Sequence, residues 1–138
     1  MQEIVLETDR KLQLIEVTEQ IRAALGQSDG VANGATAALI YVPHTTAGVA
    51  INERIDPELV SDLENAFQRV VGDDWEWTHE DEDGPNAASH ARASLASSPQ
   101  VLIPLKDGGL ALGTYQGDFL KHTNIRYAKR AGVTHANA

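Results

Sequence analysis

Apolar positions along the chain change period several times, and each change marks an element. Glu3 to Glu7 alternates weakly between polar and apolar residues, the two-residue period of a half-buried strand. Val17, Ile21 and Leu25 then recur at helical spacing, with Gly26 as a natural stop. After a loop from Gln27 to Gly34 rich in Ser, Asp, Gly and Asn, Thr36 to Val42 is nearly all apolar, as in a strand covered on both faces, and Pro43 ends it. Val49 and Ile51 alternate with small or polar neighbours and predict another strand that delivers Asn52 and Glu53 at its end. A helix follows, capped by Asp56, opened by Pro57, built on an apolar face of Val60, Leu63, Phe67 and Val70, and ended by Gly72.

The second half is less regular. Asp73 to Asp83 holds seven acids, with Trp75, Trp77 and His79 among them, and reads as an acidic loop. Asp83-Gly84-Pro85 resembles a helix entrance, after which Asn86, His90 and Ser94 share one helix face at i, i+4 spacing. Val101 to Leu105 and Leu110 to Gln116 are strand-like runs joined through Lys106-Asp107-Gly108-Gly109, a hairpin signal. Beyond Gly117 the pattern weakens, and Val133 is the strand former that the closing segment offers. No internal period repeats and no linker divides the chain. Strands and helices mix without βαβ alternation, which predicts one α+β domain over residues 1–138, with a largely antiparallel sheet and about three helices.

Composition narrows the chemistry. The absence of cysteine among 138 residues removes disulfides, thiolate metal sites and cysteine nucleophiles, so any metal must sit on His, Asp or Glu. A net charge of −9 repels a phosphate backbone and argues against nucleic acid as a partner. The charge is uneven: residues 1–98 carry 6 basic and 18 acidic side chains, residues 99–138 carry 5 and 2, so a small anion would favour the latter third. The longest apolar stretch, Ala37 to Val42, falls far short of the roughly 18 residues of a membrane span. The acidic start, with Glu3, Glu7 and Asp9, is unlike a secretory signal, so the expected location is cytoplasmic, without a membrane partner.

Three histidines stand where chemistry could gather: His44 after a buried strand, His79 in the acidic loop and His90 on the following helix. Their separations of 35 and 11 residues form no compact H-E-x-x-H motif, so the fold itself would have to bring them together. Taken singly, each reads as an ordinary structural histidine. If they converge, three imidazoles leave a fourth position on zinc for water or substrate, and the ion can polarise a phosphoryl oxygen or activate water. Glu80, Asp81 and Asp83 can fix the ring tautomers or form only a solvated loop. Thr45 and Thr46 offer hydroxyls and backbone N–H groups to an anion, or ordinary strand-end hydrogen bonds. Glu53 reads either as a general base or as a cap or surface acid. In Gly113-Thr114-Tyr115-Gln116 the glycine permits close approach of a ligand or marks a bulge. Trp75 and Trp77 point to one face if extended, and such pairs more often anchor a core or interface.

The segments Pro43-His44-Thr45-Thr46-Ala47-Gly48-Val49-Ala50-Ile51-Asn52-Glu53, His79 through Asp83-Gly84-Pro85-Asn86 to Ser89-His90, Ile103-Pro104 with Asp107-Gly108, and Leu112-Gly113-Thr114-Tyr115-Gln116-Gly117 closely resemble the YjbQ-like family, known as the secondary thiamine-phosphate synthase family. The likeness covers roughly residues 1 to 120. It implies a compact α+β domain assembling as a homotrimer, with a divalent ion on His44, His79 and His90: zinc, or magnesium where the substrate is a diphosphate. It further implies joining of hydroxymethylpyrimidine diphosphate to thiazole phosphate with release of pyrophosphate. Glu53 and Asn86 would then be catalytic. Thr45, Thr46, Asn52, Asp83, Gly84, Ser89, Gly113, Thr114 and Gln116 would bind the phosphorylated substrate. Tyr115 replaces the family's usual Trp, and residues 118–138 depart from its closing apolar strand. The rival functions are a metal-dependent phosphohydrolase and a non-catalytic trimeric metal- or ligand-binding protein.

Overall fold

In a computed structural model, which describes residues 1–27, 34–54, 56–81, 84–96, 98–122 and 129–136, antiparallel strands and, among the described residues, three helices make one α+β domain. The strands are β1 (Gln2–Leu6), β2 (Gln13–Glu16), β3 (Ala37–Tyr41), β4 (Ala47–Glu53), β5 (Glu80–Asp81), β6 (Gly84–Pro85), β7 (Gln100–Lys106), β8 (Gly109–Leu110), β9 (Gln116–His122) and β10 (Lys129–Ala136). The helices are α1 (Thr18–Gly26), α2 (Pro57–Val70) and α3 (Ala87–Ala96). A five-stranded sheet runs β1-β10-β3-β7-β8, a three-stranded sheet β2-β9-β4, and β5 pairs with β6.

Alternation sets which faces are covered, on β3 too, although its apolar run predicts a strand covered on both faces. On β1, Ile4 and Leu6 are buried while Glu3 and Val5 are exposed; on β3, Ala38 and Ile40 are buried while Tyr41 is exposed. These inward residues join Val17, Ile21 and Leu25 of α1 with its lead-in, Ala47 and Val49 of β4, and Ile103 of β7 in one core. Helix α1 opens with the Glu16 carboxylate accepting from the Thr18 N–H at 3.0 Å, which satisfies a first-turn donor. Helix α2 is capped as its sequence predicts, the Asp56 carboxylate accepting from the Glu58 N–H at 2.9 Å with Pro57 opening the helix. Val60, Leu63 and Phe67 are half-buried. Val70 is 63% exposed, so the helix's final apolar position leaves the expected inward face.

The hairpin signal at Lys106–Gly109 is realised: Lys106 pairs with Gly109, and Asp107 and Gly108 both take positive φ, 53° and 79°. Two consecutive positive values match the twist of the flanking strands. The expected strand Leu110 to Gln116 is not formed as one element. β8 ends at Leu110 and β9 starts at Gln116, because a turn closed by Gln116 N–H to Gly113 C=O at 3.0 Å lies between them. Strand β2 was hidden by its short length. The weakly patterned tail supplies β9 and β10, and β10 lies between β1 and β3, so it has strand neighbours on both sides. The loop expected over Gln27 to Gly34 falls mostly outside the described residues.

Candidate functional site

Helix α3 organises the site. Its sequence, AASHARASLA, is mostly small, so one face can lie close against the domain. Ala88, Ser89 and Arg92 are buried on that face. Asn86, also buried, stands at the helix entrance, its C=O accepting from the N–H groups of Ser89 and His90 at 2.8 and 3.3 Å. The entrance is therefore Asn86 itself, while Gly84 and Pro85 lie in β6, with Gly84 at a φ of 105° that favours glycine. Arg92 clamps the helix in place. Its Nε and Nη2 donate to the Val71 C=O beyond α2 at 3.0 and 2.6 Å, and Nη2 lies 3.1 Å from the Asp73 carboxylate.

Two of the three histidines meet on this frame. His79, before β5, lies against His90 of α3 with ring centroids 5.2 Å apart and planes at 77°. That is an edge-to-face ring contact. It is also a fitting spacing for a shared tetrahedral ion, since Zn–N bonds of about 2.0–2.1 Å put two ring centroids about 5 Å apart. His90 and Ser94 are one turn apart on the helix. Ser94 and Ala93 line an open cavity of about 210 Å³ whose opposite wall is His44, Thr45, Ala47 and Pro99. Backbone bonds hold that wall: Val49 and Ser98 exchange N–H···O=C bonds at 2.8 and 3.2 Å, and Val42 N–H donates to Pro99 C=O at 2.7 Å. Among the described residues no three His, Asp or Glu side chains stand together as a ready metal set.

His44 is fixed differently from the other two rings. The Thr46 backbone N–H donates to its Nδ1 at 3.1 Å, and the Thr46 hydroxyl lies 3.0 Å from the same nitrogen. A backbone N–H can only donate, so Nδ1 is an acceptor and the neutral ring carries its proton on Nε2. Nδ1 of His44 thus faces Thr46, and the Nε2 side of the ring is the one left for the cavity wall.

The remaining candidate residues separate by position. Thr45 is exposed at the cavity wall, whereas Thr46 is buried behind His44 and Ser89 is buried on the inner face of α3. Asn52, Glu53, Gly113, Thr114 and Gln116 lie at the far end of β4, where Glu53 pairs with Gln116. The six residue steps from Ala47 to Glu53 span about 20 Å of strand, which sets this group well away from His44. Glu53 is exposed, and Asn52 Oδ1 accepts from the Glu53 N–H at 2.8 Å. Gln116 Oε1 accepts from the Gly113 N–H at 2.7 Å, and a Cβ added at Gly113 would stand 3.1 Å from that oxygen. The close approach that glycine allows here is to the chain's own Gln116. Asp83 lies outside the described residues. Trp75 and Trp77 do share a face, stacked with centroids 5.6 Å apart, and the Trp77 Nε1–H donates to Gly72 C=O at 3.0 Å. Sequence reading did not single out Arg92; its only signal was an arginine four residues after Ala88, on what becomes the buried face.

Fold and site together define a single-domain α+β protein with a histidine-edged cleft along its third helix. The chain matches the family described as UPF0047 protein YjbQ-like over residues 2–137. It belongs to that family. A UPF0047 protein of Methanocaldococcus jannaschii is 37% identical over 117 residues, covering 83% of this chain and 78% of that protein. UPF0047 protein YugU of Bacillus subtilis is 38% identical over 115 residues, covering 81% and 80%. Among solved structures, a YjbQ/UPF0047 family protein of Clostridium acetobutylicum superposes with a TM-score of 0.86 at 28% identity, covering 99% of this chain and 100% of that one.

Proposed function

We propose that this protein is a cytoplasmic transferase of the thiamine-phosphate-synthase type, joining hydroxymethylpyrimidine diphosphate to thiazole phosphate in the cleft between His44 and α3. The observation that carries the reading is the meeting of His79 and His90, brought from a loop and a helix to a 5.2 Å ring contact, with Ser94, one turn on from His90, lining an open cavity. The thiazole nitrogen donates its electron pair to the pyrimidine methylene carbon as the carbon–oxygen bond breaks, and diphosphate leaves with the bonding pair. Charge builds on the departing oxygen, so the service required of the site is to meet that charge with donors fixed in advance. The Thr45 hydroxyl and the His44 ring stand on the cavity wall where such a group would lie. His79 and His90 would hold a divalent ion, which when bound neutralises diphosphate charge. Glu53 and Gln116, at the other end of β4, are left out of the reacting centre.

The assay is pyrophosphate release from the two substrates with zinc or magnesium supplied. We expect release by the native chain and at least a tenfold loss in His90→Ala and His79→Ala, the order of effect of removing one electrostatic contributor. Phosphate release from a panel of monoesters without pyrophosphate would mark a phosphohydrolase instead, and metal uptake without any product a binding protein. Either result would overturn the transferase reading.

A homotrimer completes the proposal. The outer face of the five-stranded sheet exposes Val5, Tyr41 and Leu102 on neighbouring or near-neighbouring strands, an apolar surface suited to a second copy.

A further inference from the structure

We infer that the cleft has a second chamber, beyond His44, which takes a planar ring of the ligand against the face of Tyr41. The inference rests on the reading that the cleft binds a phosphorylated molecule, and names what else that molecule carries. Beside the cavity that faces α3 lies a second open cavity of about 410 Å³, lined by Tyr41, Val42, Pro43, His44, Thr45 and Pro99. His44, Thr45 and Pro99 line both cavities, so the two are neighbours across one wall. Small-molecule sites run to roughly 300–1,000 Å³. The chamber beside α3, at about 210 Å³, falls below that range by itself, and the outer chamber supplies the remaining room.

The two linings differ in chemistry. Phosphate belongs beside α3, since Ser94 of that lining lies one turn from His90 and from the ion that His79 and His90 would hold. The outer chamber adds Tyr41, Val42 and Pro43 to the shared wall, an aromatic ring and apolar groups without a charged side chain. Tyr41 ends β3, pairs in register with Gln100 and is 42% exposed. Among the described residues its ring stacks on no other aromatic side chain, so its face is open to a ligand. The wall around it is fixed by backbone bonds: the Val42 N–H donates to Pro99 C=O at 2.7 Å, and the Val42 C=O accepts from the His44 N–H at 2.9 Å. Pro43 and Pro99 further restrict the chain. A preformed wall spares the ligand the cost of ordering it. An aromatic face favours a planar ring, stacked or edge-on, over a saturated group of the same bulk. Tyr41 also stands at the margin of the sheet face that exposes Val5 and Leu102, so a second copy seated there borders the outer chamber.

The test titrates methylphosphonate, benzylphosphonate and cyclohexylmethylphosphonate calorimetrically into the full chain supplied with zinc. All carry the same head group, and the C–P bond resists hydrolysis. Benzylphosphonate should bind the native chain about tenfold more tightly than methylphosphonate, and more tightly than cyclohexylmethylphosphonate, which matches its bulk without a π face. Tyr41→Ala should remove most of that advantage and Tyr41→Phe should keep it, with methylphosphonate binding unchanged in both. An advantage that survives Tyr41→Ala overturns the inference, as does equal binding of the benzyl and cyclohexylmethyl compounds. If benzylphosphonate binds no better than methylphosphonate while Tyr41→Ala lowers the sedimenting mass, the ring belongs to the contact between copies and the inference falls. Equal binding of benzyl- and methylphosphonate leaves the phosphorylated-ligand reading standing, whereas binding of neither overturns both. The thiamine precursors are not used, so the transferase assay is judged by itself.

Discussion

Arg92 shows how one side chain sets the site's geometry. Its side chain is 1% exposed, and it joins the end of α2, the start of the acidic loop and α3 through Val71, Gln68 and Asp73. Arg92→Met keeps the apolar stem but strands the Val71 carbonyl and removes one of the partners of the Asp73 carboxylate, which should cost about 3 kcal/mol in urea unfolding. Burial works to raise the Asp73 carboxyl, but hydrogen bonds from Arg92, Lys11 and Gln68 outweigh it and hold the group below its ordinary value of 3.8. A depressed folded value means the stabilisation is complete above 3.8 and is lost as pH falls below it. Asp73→Asn should therefore flatten the acid limb of the stability profile, measured by thermal melts from pH 6 downward; an unchanged limb would place the acid sensitivity elsewhere. Gly117 makes a different demand. A Cβ there would meet Arg54 Cβ at 2.7 Å and Thr18 Oγ1 at 3.0 Å, where β9 passes close to α1 and the end of β4. Gly117→Ala should destabilise by about 1–3 kcal/mol in the same assay, as overpacking of a closed site does.

At the scale of elements, legibility followed how local the determining signal was. The α2 cap lies within three consecutive residues, Asp56-Pro57-Glu58, and formed as read; Asp56→Ala should cost about 1 kcal/mol, seen as a lowered urea midpoint at constant slope. The Asp107-Gly108 turn was equally local. Strand β10 was not legible, since its sequence KRAGVTHA has few strand formers and its place comes from backbone pairing to β1 and β3, elements about 90 residues or more away in the chain. The candidate site divides in the same manner. Asn86, His90 and Ser94 follow from helical spacing, and they fall in order at the entrance and along α3. The His79–His90 contact depends on the course of the acidic loop, which no period encodes. The sequence motifs also suggested a single pool of substrate-binding residues, whereas His44 precedes β4 and Glu53 ends it, with about 20 Å of strand between.

For the whole molecule, β10 is the element on which the larger sheet depends. It separates β1 from β3, so a chain ending at residue 128 would leave β1 without its strand partner and expose the backbone edge of β3. Such a truncation should lose the single cooperative unfolding transition seen for the full chain; retention of a native-like melt would contradict the topology. Sedimentation should give three times the 14.9 kDa chain mass, reduced by Leu102→Glu on the exposed sheet face. Function turns on which end of β4 meets the phosphorylated ligand, and one measurement addresses it: amide and imidazole NMR shifts of the zinc-loaded protein titrated with inorganic pyrophosphate. Saturable shifts are expected at His44, Thr45, His79, His90 and Ser94, with Glu53, Gly113 and Gln116 unmoved. Shifts confined to Glu53, Gly113 and Gln116, with the histidine rings unchanged, would contradict the proposed cleft.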